Sequence, residues 1–240
     1  MTPTNSTTTN NKKKKIAAIF DLDKTLHKGT TGWSFLRLLR KNNTVTWKEL
    51  TAVVIASLLH KTKLLDLETF LDKSISGFTG HSVTTYKHIA RQAFEKSYHK
   101  RLFVDALDRI KQHRNQGHMI IIATASIREA ITPIADFFNA DRLIAFELEK
   151  KQDRFTGKAK KPYCWSGGKR YYVKAMAKKE NIDLKKSYFY SDSHVDIPLL
   201  KEVGHPIVVN PDARLRLTAK EHEWTVITFR KTLKRNHGKK

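Results

Sequence analysis

An apolar run that stops at two aspartates constrains the fold of this chain more than any other feature. Residues Ile16 to Phe20 are apolar, and Asp21 and Asp23 follow almost directly. Such a run is typical of a buried parallel strand that ends at a loop. Side chains two apart on an extended backbone point the same way, so the two carboxylates would face one site. They repel each other unless a cation lies between them or one carries a proton, which predicts a metal site. Two aspartates that cap a turn or the next helix are the alternative.

The rest of the chain alternates short apolar runs with helical patterns. Further strands are predicted at 119–123, 143–148, 188–190, 207–209 and 226–227, and helices at 102–113, 127–138, 169–180 and 195–202. This alternation predicts an α/β fold with a doubly wound, Rossmann-like parallel sheet, whose active site lies beyond the carboxyl ends of the strands. Between 32 and 100 the alternation stops, and apolar residues recur at three- and four-residue steps instead. That segment is predicted as an inserted α-helical cap.

The domain boundaries follow from these patterns. The α/β core takes residues 16–31 and 101–229, and the cap takes 32–100. Residues 1–15 and 230–240 are predicted as basic tails, the first of them disordered because it is polar and of low complexity.

Several polar residues come directly after predicted strands. They are Thr124 and Ser126 after 119–123, Asp192 and Asp196 after 188–190, and Lys169 at a helix start that follows two glycines. Because parallel strands end at one edge of a sheet, these side chains should meet Asp21 and Asp23 there. Each has a plainer interpretation as a helix cap or a surface charge. Their ordered occurrence favours a common site.

The chemistry of this set is that of phosphoryl transfer. Asp21 is the candidate nucleophile, and Asp23 the candidate general acid and base. A carboxylate can attack phosphorus only if its repulsion with the phosphate is cancelled, so Mg²⁺ is the expected cofactor. The candidate metal ligands are Asp21, Asp23, Asp192 and Asp196, and the candidate phosphate-binding residues are Thr124, Ala125, Ser126 and Lys169.

These residues resemble the four motifs of the haloacid dehalogenase-like hydrolase superfamily. The motifs are D-x-D-x-T, a strand ending in Ser or Thr, a Lys, and D-x-x-x-D, and they occur in that order as Asp21/Asp23/Thr25, Thr124, Lys169 and Asp192/Asp196. The helical insertion between the first two motifs is similar to the cap of the phosphoserine phosphatase-like subfamily IB. The resemblance implies that Thr25 also takes part in phosphate binding. The carboxylate at position 23 implies hydrolysis of a phosphate ester.

Two motifs depart from the phosphoserine phosphatase pattern. Those enzymes usually have S-G-G at the second motif and G-D-G at the fourth. This chain has Thr124-Ala125-Ser126 and Ser191-Asp192-Ser193 at these positions. The added methyl and hydroxyl groups narrow the pocket beside the phosphate, which disfavours phosphoserine. Proteins of the same subfamily are assigned to histidinol phosphate, phosphocholine and lipid-linked phosphates, and the cap chooses among such substrates.

The charge of the chain bears on its partners. The sequence has 46 Lys and Arg against 23 Asp and Glu, a net charge of +23. Such a field attracts phosphorylated molecules, nucleic acids and anionic membranes alike. Nucleic-acid binding is not favoured, because no helix-turn-helix or zinc-finger spacing is present. Contact of the basic C-terminal tail with a membrane surface stays open, although the tail lacks an apolar stripe.

The cysteine content and the N-terminus predict a cytoplasmic protein. Cys164 is the only cysteine, and no apolar segment of the secretory type follows the N-terminal lysines. The apolar stretch from Leu50 to Leu59 is about half the ~20 residues that a membrane-spanning helix requires, so it is predicted as a buried helix.

Together these patterns predict a Mg²⁺-dependent phosphomonoesterase that hydrolyses a small phosphorylated metabolite through a phospho-aspartyl intermediate on Asp21. A phosphotransferase of the same fold is one alternative, and a basic nucleic-acid-binding protein is another. The sequence does not indicate an oligomeric state.

Overall fold

Six parallel strands form the central sheet of the computed structural model, which describes residues 13–61 and 66–233. The strands in chain order are β1 Ala17–Phe20, β2 Met119–Ile127, β3 Arg142–Phe146, β4 Leu148–Lys151, β5 Arg154–Ala159, β6 Tyr188–Ser191, β7 His205–Val209 and β8 Thr225–Ile227. The central sheet has the order β3-β2-β1-β6-β7-β8, and all its neighbours pair in parallel. Strands β4 and β5 form a separate antiparallel hairpin. The predicted doubly wound α/β fold is confirmed.

The order of the strands determines where a site can form. From β1 the chain passes to β2 and β3 on one side, and later to β6, β7 and β8 on the other. The switch point of the sheet therefore lies between β1 and β6, and ligands of open α/β sheets bind at such points. The backbone N–H of Asp21 donates to the carbonyl of Tyr190 over 2.9 Å, which fixes the end of β1 against the end of β6.

Helices cover the sheet and fill the insertion. They are α1 Thr31–Lys41, α2 Trp47–Lys61, α3 Leu67–Ser76, α4 Val83–Ala93, α5 Val104–Asn115, α6 Arg128–Phe137, α7 Gly167–Glu180, α8 Ile197–Leu200 and α9 Ala213–Glu221. A π-helical turn at Phe94–Tyr98 and a 3₁₀ turn at His99–Arg101 lead from α4 back to the sheet. Strand β1 and residues 120–123 of β2 are fully buried, in agreement with their continuous apolar sequence.

Helices α1 to α4 follow β1 and precede α5, where the sequence predicts the cap. Among the described residues of 32–100, no strand longer than a single bridge occurs. We propose that these helices form a cap unit over the carboxyl edge of the sheet, with α1 beginning at Thr31.

The β4–β5 hairpin binds the cap through its turn. The Asp153 carboxylate accepts hydrogen bonds from the Ser82 hydroxyl over 2.6 Å, and from the Thr84 N–H and hydroxyl over 2.9 and 2.7 Å. The N–H of Val83 donates to the Asp153 carbonyl over 2.9 Å. Asp153 thus satisfies backbone N–H groups in the first turn of α4, which otherwise lack partners within the helix. The hairpin and the cap are therefore joined by hydrogen bonds as well as by the chain.

Helix α2 differs from its prediction in burial. The helix is present, but Trp47, Val54 and Ile55 have exposed fractions of 64%, 37% and 56%. Within the predicted stretch, Val54 and Ile55 are exposed rather than buried, and the side chains of residues 56–59 lie outside the described ones. None of the helices in the described ranges has the length and apolarity needed to cross a bilayer.

Contacts with the core continue past residue 229, where the sequence predicts its C-terminal boundary. Residues 230–233, predicted as the start of a tail, are attached to the core. The N–H groups of Arg230 and Lys231 both donate to Asp105 over 3.0 Å, and Leu233 donates its N–H to the carbonyl of Leu102. Lys15, at the end of the predicted N-terminal tail, bridges to Ile182. Residues 1–12 and 234–240 lie outside the described residues.

His113 couples α5 to the sheet. Its side chain is buried and hydrogen-bonds to the Tyr190 hydroxyl over 2.8 Å and to the His118 ring over 2.9 Å. Burial lowers the pKa of His113 to about 4, and the charges of protonated His118 and of Arg109 add to this effect. The folded protein therefore resists protonation at this position.

We expect the free energy of unfolding to fall as the pH is lowered from 6.5 towards 4. The unfolded chain binds the proton of His113 with an ordinary pKa of about 6.5, whereas the folded chain excludes it down to about 4. This one group should remove about 1–2 kcal/mol by pH 5. Urea unfolding at pH 7 and pH 5 measures the loss, and His113→Gln should make the difference smaller. An identical pH dependence in that variant would contradict the assignment.

Candidate functional site

A cavity of ≈210 Å³ opens at the switch point between β1 and β6, where the sequence-predicted residues converge. It is lined by Asp21, Asp23, Lys24, Thr30, Thr124, Ala125, Ser126, Trp165, Ser166, Lys169, Asp192, Ser193, Val195 and Asp196. Larger cavities, of ≈380, ≈460 and ≈220 Å³, lie elsewhere in the described part of the chain. In the first of these Arg128 and Arg142 are already paired with Glu147 and Glu180. The smaller cavity is the one with several buried carboxylates that face a common space.

Lys169 joins two of these carboxylates. Its ammonium group donates to Asp21 Oδ1 over 2.7 Å and to Asp196 Oδ2 over 2.8 Å, and all three side chains are buried. The Ser191 hydroxyl also donates to Asp196 Oδ2, over 2.7 Å. The lysine comes from the first turn of α7, and the aspartates from the ends of β1 and of the turn after β6. One buried cation thus joins the carboxylate after β1 to the one after β6.

The charges of this cluster do not balance. Burial raises the pKa of Asp21 well above its usual range; Lys169 opposes the shift, and the charges of Asp196 and Asp192 add to it. Burial also works to lower the pKa of Lys169, but Asp196 and Asp21 together hold it above its ordinary value. The lysine is therefore charged, but this one cation does not keep the pKa of Asp21 in its ordinary range.

Asp192 lies opposite a second cation that the sequence analysis did not identify. Lys24 Nζ is 3.8 Å from Asp192 Oδ2, and Lys24 adopts a left-handed backbone conformation with φ 59°. Burial raises the pKa of Asp192 to about 7, which Lys24 opposes and Asp196 promotes. Lys24 lines the cavity in this left-handed conformation. The sequence motif alone does not predict the conformation.

Asp23 belongs to a separate network. Its Oδ1 accepts the backbone N–H of Thr31 over 2.9 Å, and its Oδ2 lies 3.5 Å from the Ser126 hydroxyl. The hydroxyls of Thr31 and Ser126 are 2.9 Å apart. Burial raises the pKa of Asp23, against the hydrogen bonds from Thr31. Asp21 is thus held by a lysine and Asp23 by a helix N-terminus, which gives two neighbouring carboxylates different environments.

The segment after β2 supplies the opposite wall. Thr124 is buried, and its hydroxyl accepts the N–H of Ser126 over 3.1 Å. The thiol of Cys164 donates to the Thr124 carbonyl over 3.2 Å. Strand β2 continues to Ile127, so α6 begins one residue later than predicted. Thr124, Ala125 and Ser126 all line the cavity, and their role in phosphate binding stays a prediction.

Thr25 is the predicted site residue that does not reach the cavity. It is fully buried behind the loop, and its N–H approaches the carbonyl of Leu22 over 3.3 Å. It is not among the residues that line the cavity, and its part in phosphate binding stays a prediction. The contact of its N–H with Leu22 places it in the tight turn that carries Asp23.

Further residues were missed because their placement depends on loops. Ser166 has a φ of 48° and precedes α7, and Trp165 lies beside it in the cavity wall. Thr31 reaches Asp23 only because the chain doubles back after β1, where Lys24 N–H donates to the carbonyl of His27. A helix N-terminus placed shortly after the two aspartates is the one sequence signal that could have indicated Thr31.

The donors of the site fit a hard divalent cation. Mg²⁺ takes oxygen ligands, and proteins hold it with one or two carboxylates while waters and phosphate complete the shell. Asp21 and Asp192 are such carboxylates, and Asp196 Oδ1 is buried with no hydrogen-bond partner in the described part of the chain. Within that part, no three acidic, histidine or cysteine side chains form a ready-made metal cage. A cation bound here would favour the ionised carboxylates and so lower the raised pKa values of Asp21 and Asp192.

Comparisons with known proteins agree with this geometry. Residues 18–201 match the model of the family described as haloacid dehalogenase-like hydrolase. A phosphoserine phosphatase of Mycobacterium tuberculosis is 28% identical over 218 residues, which are 89% of this chain and 71% of the relative. A histidinol-phosphatase of Neisseria meningitidis is 28% identical over 221 residues, 90% of this chain and 100% of the relative. A solved structure from Bordetella pertussis, a protein of unknown function, superposes with a TM-score of 0.81 at 26% identity, covering 90% of this chain and 99% of that one.

Proposed function

Because the chain belongs to the haloacid dehalogenase-like hydrolase family, we propose that it is a Mg²⁺-dependent phosphomonoesterase that works through a phospho-aspartyl intermediate on Asp21. The observation that carries the proposal is the pair of carboxylates after β1. Asp21 is bound by Lys169, and Asp23 is bound by the N–H of Thr31. Two neighbouring carboxylates in different environments suit one nucleophile and one proton carrier. Relatives named as phosphatases support the same reaction class.

The first step transfers the phosphoryl group from the ester to Asp21, and several residues share its chemistry. Lys169 holds Oδ1 of Asp21, which leaves Oδ2 to attack phosphorus. The bond from phosphorus to the ester oxygen breaks as the new bond forms, and Asp23 gives its proton to the departing alkoxide. The raised pKa of Asp23 keeps a proton available for this transfer. Thr124 and Ser126 line the wall where the other phosphate oxygens would lie.

The second step reverses the proton transfer. Asp23, now ionised, takes a proton from water, and the water oxygen attacks the phosphorus of phospho-Asp21. The bond between phosphorus and Asp21 breaks, which releases inorganic phosphate and restores the carboxylate. When bound, Mg²⁺ would supply positive charge against the repulsion between Asp21 and the phosphate. Asp21 and Asp192 would hold it, with Asp196 beside them.

The side chains that line the cavity beyond the catalytic groups limit the size of the substrate. It consists of Thr30, Trp165, Ser166, Ser193 and Val195, with Lys24 at the edge. We propose a small phosphorylated metabolite as the substrate, since the cavity of ≈210 Å³ leaves room for little beyond the phosphate and a short leaving group. Phosphoserine and histidinol phosphate, the substrates in the names of the two relatives, belong in the first test panel.

We expect inorganic phosphate to be released from members of such a panel, and from an aryl phosphate, only when Mg²⁺ is present. Excess EDTA should stop release, and added Mg²⁺ should restore it, because the carboxylate cluster lacks enough positive charge of its own. A phosphotransferase would instead pass the phosphoryl group to an added alcohol in preference to water. Full activity in EDTA would contradict the role of the metal.

We expect Asp23→Asn to slow turnover of an alkyl phosphate by about 10²–10⁴-fold. An asparagine can still accept the Thr31 N–H, but it cannot donate a proton to the alkoxide. In the first step the loss should be much smaller for an aryl phosphate, whose phenolate departs without protonation. Pre-steady-state release of the leaving group from both esters, with the wild type and the variant, isolates this step from the later attack of water. Equal losses in the first step on the two esters would contradict the assignment of Asp23 as the acid.

A further inference from the structure

The outer surface of the cap carries large apolar side chains that no described residue covers. Trp47, Val54 and Ile55 lie at positions i, i+7 and i+8 of α2, and so share one face of the helix. Their exposed fractions are 64%, 37% and 56%. On the adjacent α1, Trp33 has an exposed fraction of 43%. Clustered exposure of this kind marks an interaction surface more often than single exposed residues do.

Basic residues lie among these apolar side chains. Arg37, Arg40 and Lys41 follow Trp33 on one face of α1, and Lys48 is exposed next to Trp47. The guanidinium of Arg40 lies 4.8 Å from the centre of the Trp47 ring, which joins the two helix faces into one surface. We call this surface of α1 and α2 the outer cap face.

The single acidic residue between positions 31 and 55 does not neutralise the outer cap face. Between residues 31 and 55 the sequence has four Lys and Arg and one acid, a net charge of 4 − 1 = +3. That acid, Glu49, is turned towards the cap itself. Its carboxylate accepts the N–H and the hydroxyl of Thr46 and lies 3.3 Å from His81 Nε2. The outer cap face is therefore both apolar and positively charged.

We infer that the outer cap face docks on the surface of an anionic phospholipid bilayer. Tryptophan and aliphatic side chains enter the boundary between headgroups and acyl chains, and Lys and Arg bind the anionic headgroups. A second copy of the chain fits less well, because a symmetric dimer would bring two +3 surfaces together. A nucleic acid would satisfy the basic residues but would leave the aliphatic ones without a partner.

The docked orientation places the candidate site beside the lipid. Thr30, which lines the cavity, immediately precedes α1, and Trp33 lies in the first turn of that helix. The inference about docking does not depend on the proposed reaction, since it concerns residues outside the cavity.

The test measures binding of the full chain to vesicles. We expect the protein to cosediment with phosphatidylcholine vesicles that contain about a third phosphatidylglycerol, and to stay in solution with phosphatidylcholine alone. Trp47→Glu and Ile55→Glu should each weaken binding to the anionic vesicles at least about tenfold, because each removes a large apolar group from the interface. Circular dichroism and thermal melting show whether each variant is folded.

Leu217→Glu is the matched control. Leu217 is as exposed as Trp47, at 64%, but lies on α9 of the core, and the substitution changes the charge equally. It should leave vesicle binding unchanged. The basic tails are the same in all variants, so the difference between Trp47→Glu and Leu217→Glu isolates the outer cap face.

Three results of the vesicle experiment would overturn the inference. They are absence of binding to the anionic vesicles, an equal loss of binding in Leu217→Glu, and undiminished binding in both cap variants. A dimer in solution that Trp47→Glu dissociates would also overturn it, since a second copy would then cover the face. Hydrolysis of a soluble aryl phosphate by Trp47→Glu should equal that of the wild type, so loss of docking is measured separately from loss of activity.

Discussion

Asp21→Asn should abolish turnover, with a fall of at least about 10⁴-fold in the release of phosphate. The amide oxygen can still accept the hydrogen bond from Lys169, but an amide does not attack phosphorus to form a stable ester. Because the folded protein raises the pKa of Asp21, its ionised form costs stability at neutral pH. We therefore expect the variant to melt at the same temperature as the wild type or higher, while it loses its activity.

The control is Asp136→Asn, the same chemical change on the exposed side of α6, which should leave turnover intact. Phosphorylated protein should accumulate in the acid-quenched wild type during turnover and be absent from Asp21→Asn. Mg²⁺-dependent turnover in Asp21→Asn near the wild-type rate, or a phosphoryl group found on another residue, would refute the nucleophile assignment.

Gly168→Ala should lower both stability and turnover, through the position of Lys169. A Cβ atom at Gly168 would lie 1.8 Å from the carbonyl oxygen of Tyr163, a backbone atom that cannot rotate away. The start of α7 must move to relieve this contact, at a cost of about 1–3 kcal/mol. Lys169 is the next residue, and a shift of about 1 Å in a catalytic group can reduce the rate about 10²-fold. Thermal melting and kcat measure the two losses.

Gly167→Ala supplies the matched control for this prediction. It makes the same change one residue earlier, where a Cβ atom would have no neighbour within 4 Å. Both glycines lie in the first turn of α7, so a general effect of alanine on the helix would appear in both variants. We expect a loss only in Gly168→Ala. Equal behaviour of the two variants would show that the contact with Tyr163 does not determine the position of Lys169.

The sequence was sufficient for the parts of the fold that depend on continuous apolar runs. β1 and the buried part of β2 are such runs, and the polar residues after them lie at one edge because the strands are parallel. Helix α9 was not predicted, since Leu215 and Leu217 alternate with Arg214 and Arg216 as they would in a strand. The Asp212 side chain, which accepts the N–H of Leu215, starts the helix.

Within the site, the sequence pattern does not predict loop conformation, which decides which side chains line the cavity. Lys24 lines the cavity and the adjacent Thr25 is fully buried, although only Thr25 belongs to the motif. Lys24 adopts a left-handed backbone conformation with φ 59°. The catalytic and metal-binding roles of the remaining motif residues stay predictions, which the variants above address.

The hydrogen bonds of Asp153 to Ser82 and Thr84 bear on how caps of this kind could be exchanged between proteins. A chimera that received only the inserted helices would lose the acceptor for the first turn of α4. The smallest portable module is therefore discontinuous, and consists of residues 31–101 together with the β4–β5 hairpin at 148–159. A chimera that exchanges residues 31–101 together with the hairpin at 148–159 should fold. A chimera that exchanges residues 31–101 alone should not.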